Sequence, residues 1–249
     1  MSGNLDRRRP RQHETPAVNE ARQFLIHEDA HILVFNKPSG LAVQGGSGVT
    51  RSLEDMLAAF AKSNGKRPRL VHRLDRETSG VIVAARTKPA AAHLSEAFAG
   101  REVEKAYLAI VCGAPEPQGG EINLALRKSS RRGLDIMEID SAGQPALTRY
   151  RTLASTPEAA LLELRPETGR MHQLRVHLAA IGRPIAGDGK YGGLFQIGAT
   201  SIPRLMLHAA ALEFPHPAGG RRQFEAGLPP DIAEPLRSLG LEPTRGPQS

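Results

Sequence analysis

A chain of 249 residues with 40% hydrophobic content is long enough to bury a substantial core, and none of its apolar runs approaches the roughly 20 residues needed to cross a bilayer. One cysteine, Cys112, excludes an intramolecular disulfide framework and a cysteine-based zinc cluster, and the absence of Trp with 4% aromatic content disfavours a broad base-stacking platform. The 33 basic against 26 acidic residues, a net charge of +7 and a pI near 10.0 favour a polyanionic partner bound through phosphate contacts, although many soluble proteins share such a balance.

Residues 1–20 are polar and without periodicity, and carry Arg7, Arg8, Arg9 and Arg11. They read as a disordered basic arm reaching phosphates, or as a solvated tail with no contacts. No apolar segment of signal-peptide length follows, so a cytoplasmic protein is expected. Residues 21–241 read as one catalytic domain, and 242–249 as a flexible tail. Ile32–Phe35 is the first short apolar run with the length and flanks of a strand. Ser52 can cap a helix whose apolar stripe is Leu53, Met56, Leu57 and Phe60, with Asp55 near its positive end. Val81–Ala85 predicts a strand, about Pro89 to Ala99 a helix stopped by Gly100, and Tyr107–Val111 another strand. After the Pro/Gly-rich connection Gly113–Gly120 comes a strand at Leu161–Leu164. A third helix places Leu174, His177, Leu178 and Ile181 on one buried face, and Gly182 and Pro184 end it. There is no internal repeat. Strands and helices are interspersed without strict alternation, which predicts an α+β fold with a mixed sheet.

Val71 to Gly80, VHRLDRETSG, packs charged and small polar residues immediately before an apolar strand. Such a loop can present a site, but on its own it reads equally well as a surface turn in which Asp75 and Arg76 form ordinary ion pairs. Tyr107 and Lys105, two apart on a strand, share a face. By itself Tyr107 reads as a core aromatic. In the third helix Met171, Arg175 and Leu178 fall together, setting the Arg175 stem against apolar neighbours.

The HRLDRETSG string is joined by NKPSGLAVQGG at Asn36–Gly46, EKAYLAIVCG at Glu104–Gly113, ETGRMHQLRVHLAAIGRPIAGDGKYGG at Glu167–Gly193 and LMLHAAALEFPHP at Leu205–Pro217. Five blocks in this order and spacing, over roughly residues 24–230, resemble the ribosomal large-subunit pseudouridine synthase A family. The resemblance implies a pseudouridine synthase catalytic fold: a mixed, mainly antiparallel sheet flanked by helices, with the catalytic cleft across the sheet. It implies isomerisation of uridine to pseudouridine in structured RNA, ribosomal RNA first and transfer RNA second. The expected protein is a monomer without membrane association.

The resemblance also implies roles. Asp75 is the catalytic carboxylate, attacking the sugar carbon or the uracil ring or abstracting a sugar proton; the sequence leaves all three open. A carboxylate in a water-poor pocket needs a cationic partner, and Arg175 is the candidate, with a phosphate-binding surface arginine as the alternative, a role Arg170 can fill instead. Tyr107 is assigned to stacking on the flipped uracil, and to taking a ring proton. Arg73 fills the gap left by the flipped base, and Leu174 lines the uracil pocket. His72, Arg76, Lys105 and His172 complete the RNA-binding candidates. Gln44 stands where family members often carry His, and receives no catalytic role. Residues 1–20 are too few for the S4-type domain of many relatives.

The product is an isomer of the substrate, so no cofactor or metal is expected, and the spacing of His72, His172, His177 and His208 suits packing or RNA contact better than ligation. A non-catalytic RNA-binding module would be indifferent to Asp75, Tyr107 and Arg175. A glycoside hydrolase would want a second carboxylate in a matching motif. A protein kinase would want a glycine-rich loop and an Asp-Phe-Gly string, and this sequence has neither.

Overall fold

A computed structural model describes residues 16–46, 48–61, 65–131 and 134–242. The helix α1, Pro16–Gln23, begins inside the stretch expected to be an arm, so residues 16–20 belong to the folded part. Arg7, Arg8, Arg9 and Arg11 lie outside the described residues, as does the tail from 243.

The strands β1 (Leu25–Glu28) and β2 (Ile32–Lys37) form a hairpin. Next come α2 (Leu53–Met56), a single 3₁₀ turn (Leu57–Phe60), β3 (Arg69–Leu70) and β4 (Ser79–Ala85). Helix α3 (Lys88–Ala99) leads to β5 (Glu104–Cys112), followed by β6 (Gly119–Asn123), β7 (Leu126–Arg131), β8 (Leu134–Ile139), β9 (Leu147–Ser155) and β10 (Ala159–Pro166). Helix α4 (Gln173–Ala180) is followed by the short hairpin β11 (Gln196–Ile197) and β12 (Thr200–Ser201), then β13 (Leu207–Pro215), β14 (Arg221–Glu225) and α5 (Pro230–Ser238).

The main sheet runs β1-β2-β4-β13-β5-β10-β9-β6, with β3 on β4 and β14 on β13. Its one parallel pairing among the described residues joins β4 to β13; the rest are antiparallel. The α+β architecture with a mixed sheet flanked by helices is therefore the observed one. At the parallel junction Gly80 has φ +117°, and a Cβ there would sit 2.2 Å from the Ala209 carbonyl oxygen. Only glycine lets β4 and β13 approach so closely, and this contact fixes where the loop before β4 emerges.

Local signals produce the expected elements. Ser52 Oγ accepts from Asp55 N while the Asp55 carboxylate accepts from Ser52 N, a complete capping box, and Leu53, Met56, Leu57 and Phe60 are all buried. The stripe is split between a helical turn and the 3₁₀ turn rather than forming one helix. Thr87 caps α3 and Gly100 ends it. Helix α4 departs from the one-faced pattern: Gln173 through Leu178 are all buried, while Ile181 is half-buried just beyond the helix end. The helix lies against β8 and β9 and contributes to two apolar clusters, so its polar residues need internal partners. Three apolar clusters result: one built on β2, β4, α2 and α3, a second on β5, β10, α4 and α5, and a small third in which Leu126, Met137 and Ala146 meet Val176 of α4. Tyr107 packs against the first two and so marks their seam.

Candidate active site

The loop 71–78 between β3 and β4 is held from below by a residue that sequence reasoning passed over. Lys37, fully buried, donates its ammonium to the carbonyls of Pro38, Leu41 and Arg76 at 2.9, 2.9 and 3.1 Å. Burial pushes its pKa down to about 7; the Asp75 carboxylate pulls it up and Arg204 opposes that. Its one sequence signal was a lysine closing the apolar run 32–35 before Pro38. The loop is tied again by Gly40 N to the Arg76 carbonyl (2.9 Å), by Arg76 Nε to the Gly40 carbonyl (3.0 Å) and by Thr78 N to the Asp75 carbonyl (3.1 Å). Leu74 is buried, which turns the flanking Arg73 and Asp75 outward.

The His72 ring is tied to the protein on two sides. Its Nε2 accepts the Val83 amide at 3.0 Å, its ring stacks on Phe98 with centroids 4.5 Å apart, and burial, with Lys105 adding to it, drives its pKa to about 3. It is a neutral part of the wall and cannot pair with phosphate as a cation.

Asp75 faces two groups at the start of α4, one on the helix and one on the residue before it. Arg175 Nη1 lies 3.7 Å and His172 Nε2 3.9 Å from Asp75 Oδ2. The expected pairing of Arg175 with Asp75 therefore exists, but it is the weaker of two. Arg175 gives its short hydrogen bonds, Nε and Nη2 at 2.8 and 2.7 Å, to the wholly buried Asp188, which sequence reasoning also missed. Asp188 in turn accepts from the amides of Lys190 and Tyr191, so it both neutralises and aims the guanidinium. Burial works against the charge of Arg175, yet the Asp188 bond, with Asp75 adding to it, raises its pKa.

His172 takes a left-handed backbone, φ 52°, immediately before α4. Its Nδ1 lies 2.8 Å from Tyr191 Oη, and that oxygen accepts the Met137 amide at 2.9 Å. Burial raises the Tyr191 pKa, so the phenol keeps its proton, and His172 Nδ1 is the acceptor positioned to receive it. The ring proton of His172 then resides on Nε2, pointing at Asp75. Burial, against the pull of Asp75, lowers the His172 pKa and keeps the ring neutral. The Arg175 guanidinium also lies 5.2 Å from the centre of the Tyr191 ring.

A cavity of about 510 Å³ opens beside Asp75, and every candidate residue except Arg76 lines it. Lys105 and Tyr107 share its wall, as their spacing requires, with Leu174 and Leu207 supplying apolar surface. Tyr107 is half-buried rather than lost in the core, and burial, followed by the negative charge of Asp75, raises its pKa, so the hydroxyl is held neutral. Burial lowers the Lys105 pKa, and Glu167 partly restores it. Arg170 is half-buried and donates Nε to the Pro145 carbonyl at 3.3 Å. Arg73 is exposed at the mouth. His177 and His208 are buried and bonded to backbone carbonyls of Leu124 and Ala226, which makes them packing residues. Gln44 is exposed. No cluster of three or more His, Cys, Asp or Glu able to hold a metal ion occurs among the described residues, and no helix among them is long and apolar enough to cross a membrane.

A cation-lined recess with the Asp75 carboxylate on one side, Glu167 beside Lys105 and an aromatic wall can receive a planar uncharged ring attached to an anionic backbone. Residues 31–180 match the family model described as RNA pseudouridylate synthase. The chain is 38% identical over 226 residues to the ribosomal large subunit pseudouridine synthase C of Vibrio cholerae, covering 89% of this chain and 71% of that protein. It is 38% identical over 237 residues to the ribosomal large subunit pseudouridine synthase D of Zymomonas mobilis, covering 87% of this chain and 74% of that one. Among solved structures, human RNA pseudouridylate synthase domain containing 4 superposes with a TM-score of 0.76 at 31% identity, covering 90% of this chain and 96% of that one.

Proposed function

For a chain that belongs to the RNA pseudouridylate synthase family, and so isomerises uridine to pseudouridine in RNA, we propose that the substrate is large-subunit ribosomal RNA and that Asp75 is the reacting carboxylate. The ribosomal choice is supported by the names of the bacterial relatives, synthases C and D of the large subunit. The observation that carries the site is the position of Asp75, between the aimed guanidinium of Arg175 and a cavity walled by Tyr107.

In this reading the target uridine leaves its stack and enters the cavity, with Arg73 at the mouth occupying the vacated space. Uracil lies against the Tyr107 ring and Leu174. Asp75 acts on the sugar or the ring while the glycosidic bond breaks, and the released base turns and rejoins through a ring carbon. Arg175 and the Nε2–H of His172 orient Asp75 from 3.7 and 3.9 Å. Tyr107, with its proton held by burial and by Asp75, serves as a stacking surface whose neutral hydroxyl can relay a proton. Lys105, Arg170 and Arg76 contact phosphates around the mouth, the register-setting part of recognition.

The deciding experiment incubates the purified chain with an unmodified large-subunit ribosomal RNA transcript and maps pseudouridine. Wild type should form it at a defined position; Asp75→Asn should lose at least about a thousandfold in single-turnover rate while binding the transcript normally. Wild-type-like turnover by Asp75→Asn would remove the catalytic assignment, and modification of transfer RNA alone would remove the ribosomal one.

A further inference from the structure

Asp75 stands on a partition between two recesses. Arg73, Asp75, His172 and Arg175 line both the cavity described above and a second one of about 680 Å³, whose far side includes Arg76, Lys190, Phe195 and Arg204. Phe195 and its neighbour Leu194 are each 54% exposed, more than any other large hydrophobic side chain among the described residues. An exposed aromatic facing a charged recess is the kind of surface that marks a binding site.

Phe195 is not on a loose loop. The Leu194 carbonyl accepts the Gly187 amide at 2.8 Å and the Phe195 carbonyl accepts the Ile202 amide at 2.9 Å, immediately before the β11–β12 hairpin. The ring rests against position 189, where a Cβ would stand 3.3 Å from its Cζ, so glycine lets it lie close to the backbone. The cations of the recess divide into two groups. Arg175 is committed to Asp188, and Arg204 to Asp231 through two bonds of 2.7 Å. Arg73, Arg76 and Lys190 are exposed, and the side chains of the last two donate to the carbonyls of Gly40 and Asp135. Glu77 is the one further carboxylate in the lining besides Asp75. An accessible π-face beside three exposed cations, which outnumber the two facing carboxylates, suits a nucleotide, whose base stacks while its phosphate meets the cations.

We propose that this second recess is a nucleotide subsite, which takes an unpaired nucleotide next to the target uridine on the same strand, its base against Phe195 and its phosphate toward Arg76 and Lys190. The proposal rests on the first cavity being the uracil pocket, because the shared partition then places adjacent nucleotides on its two sides. Every base has a π-face, so the subsite adds affinity and fixes the strand's path without demanding a particular base.

The test uses the full chain and a decauridylate carrying one 5-iodouridine. Phe195→Ala should weaken binding by about tenfold or more, as loss of one base–aromatic stack does, and Phe195→Trp should restore it. Photocrosslinking of wild type should yield an adduct on the peptide containing Phe195. The proposal is overturned if wild type does not bind the oligomer, if Phe195→Ala binds it equally well, or if that variant alters only self-association in sedimentation, which would make the patch a protein interface. Turnover is read separately. Phe195-dependent binding with an unmodified ribosomal transcript would sink the substrate reading and keep the subsite, whereas a modified transcript with Phe195-independent binding would do the reverse.

Discussion

Asp188, without solvent exposure, grips Arg175 at 2.8 and 2.7 Å, and leaves Nη1 of the same guanidinium 3.7 Å from Asp75. One arginine thus links a buried carboxylate that holds it to a partly exposed one that it serves. Arg175→Ala strands Asp188, and breaking a buried pair from one side typically costs about 3–5 kcal/mol, so loss of product formation should come with a clear fall in Tm. Arg175→Lys should recover part of the activity but not the bidentate hold. Thermal melts beside single-turnover rates decide: an Arg175→Ala protein with wild-type Tm would mean that the pair contributes nothing to the fold.

Tyr191→Phe removes the hydroxyl that sits between the Met137 amide and His172 Nδ1. The His172 proton is then no longer confined to Nε2. Nitrogen-15 spectra should show His172 as the Nε2–H tautomer in wild type and as a mixture in the variant, with kcat falling about tenfold and KM little changed, since one oriented hydrogen bond beside Asp75 is at stake. A wild type already carrying its proton on Nδ1 would contradict the relay.

Tyr107→Phe keeps the ring and removes the hydroxyl, which burial and Asp75 together hold protonated. RNA binding should persist, and product formation should fall by about a hundredfold, the low end of what a positioned proton-transfer group contributes. Tyr107→Ala should lose binding as well. Undiminished turnover in Tyr107→Phe would leave this residue a stacking role alone.

His72 has a folded-state pKa of about 3 against an ordinary value of 6.5. Between those values the unfolded chain binds a proton that the folded chain refuses. Folding stability should therefore be unaffected by this group above about pH 7 and should decline as pH falls toward 3, with a slope of at most about 1.4 kcal/mol per pH unit. His72→Gln retains an acceptor for the Val83 amide and cannot titrate. Denaturant melts between pH 4 and 7 should show a shallower decline in the variant, and parallel curves would argue that His72 is solvated in the folded state.

Much of the architecture was legible because its causes are local. The Ser52–Asp55 capping box, the Gly100 stop and the uninterrupted apolar residues of β4 act within a few positions of themselves, and the two-residue spacing of Lys105 and Tyr107 was enough to set them on one wall. The run of charged residues around Asp75 marked the loop, but its support did not show. Lys37 lies 38 positions before Asp75 in sequence and reads as the end of a strand until three carbonyls are seen to converge on it. Asp188 sits in a Gly-Asp-Gly-Lys turn, where an aspartate ordinarily faces water, and Tyr191 follows in the same turn. Local patterning was enough to place the central strands, the capped helices and the loop that carries the carboxylate, while strands such as β9, β13 and β14 went unread. Which groups surround that carboxylate came from long-range packing, because a buried charge or a histidine proton is settled by whatever partners the fold brings within about 3 Å, and those partners come from segments with no local reason to meet.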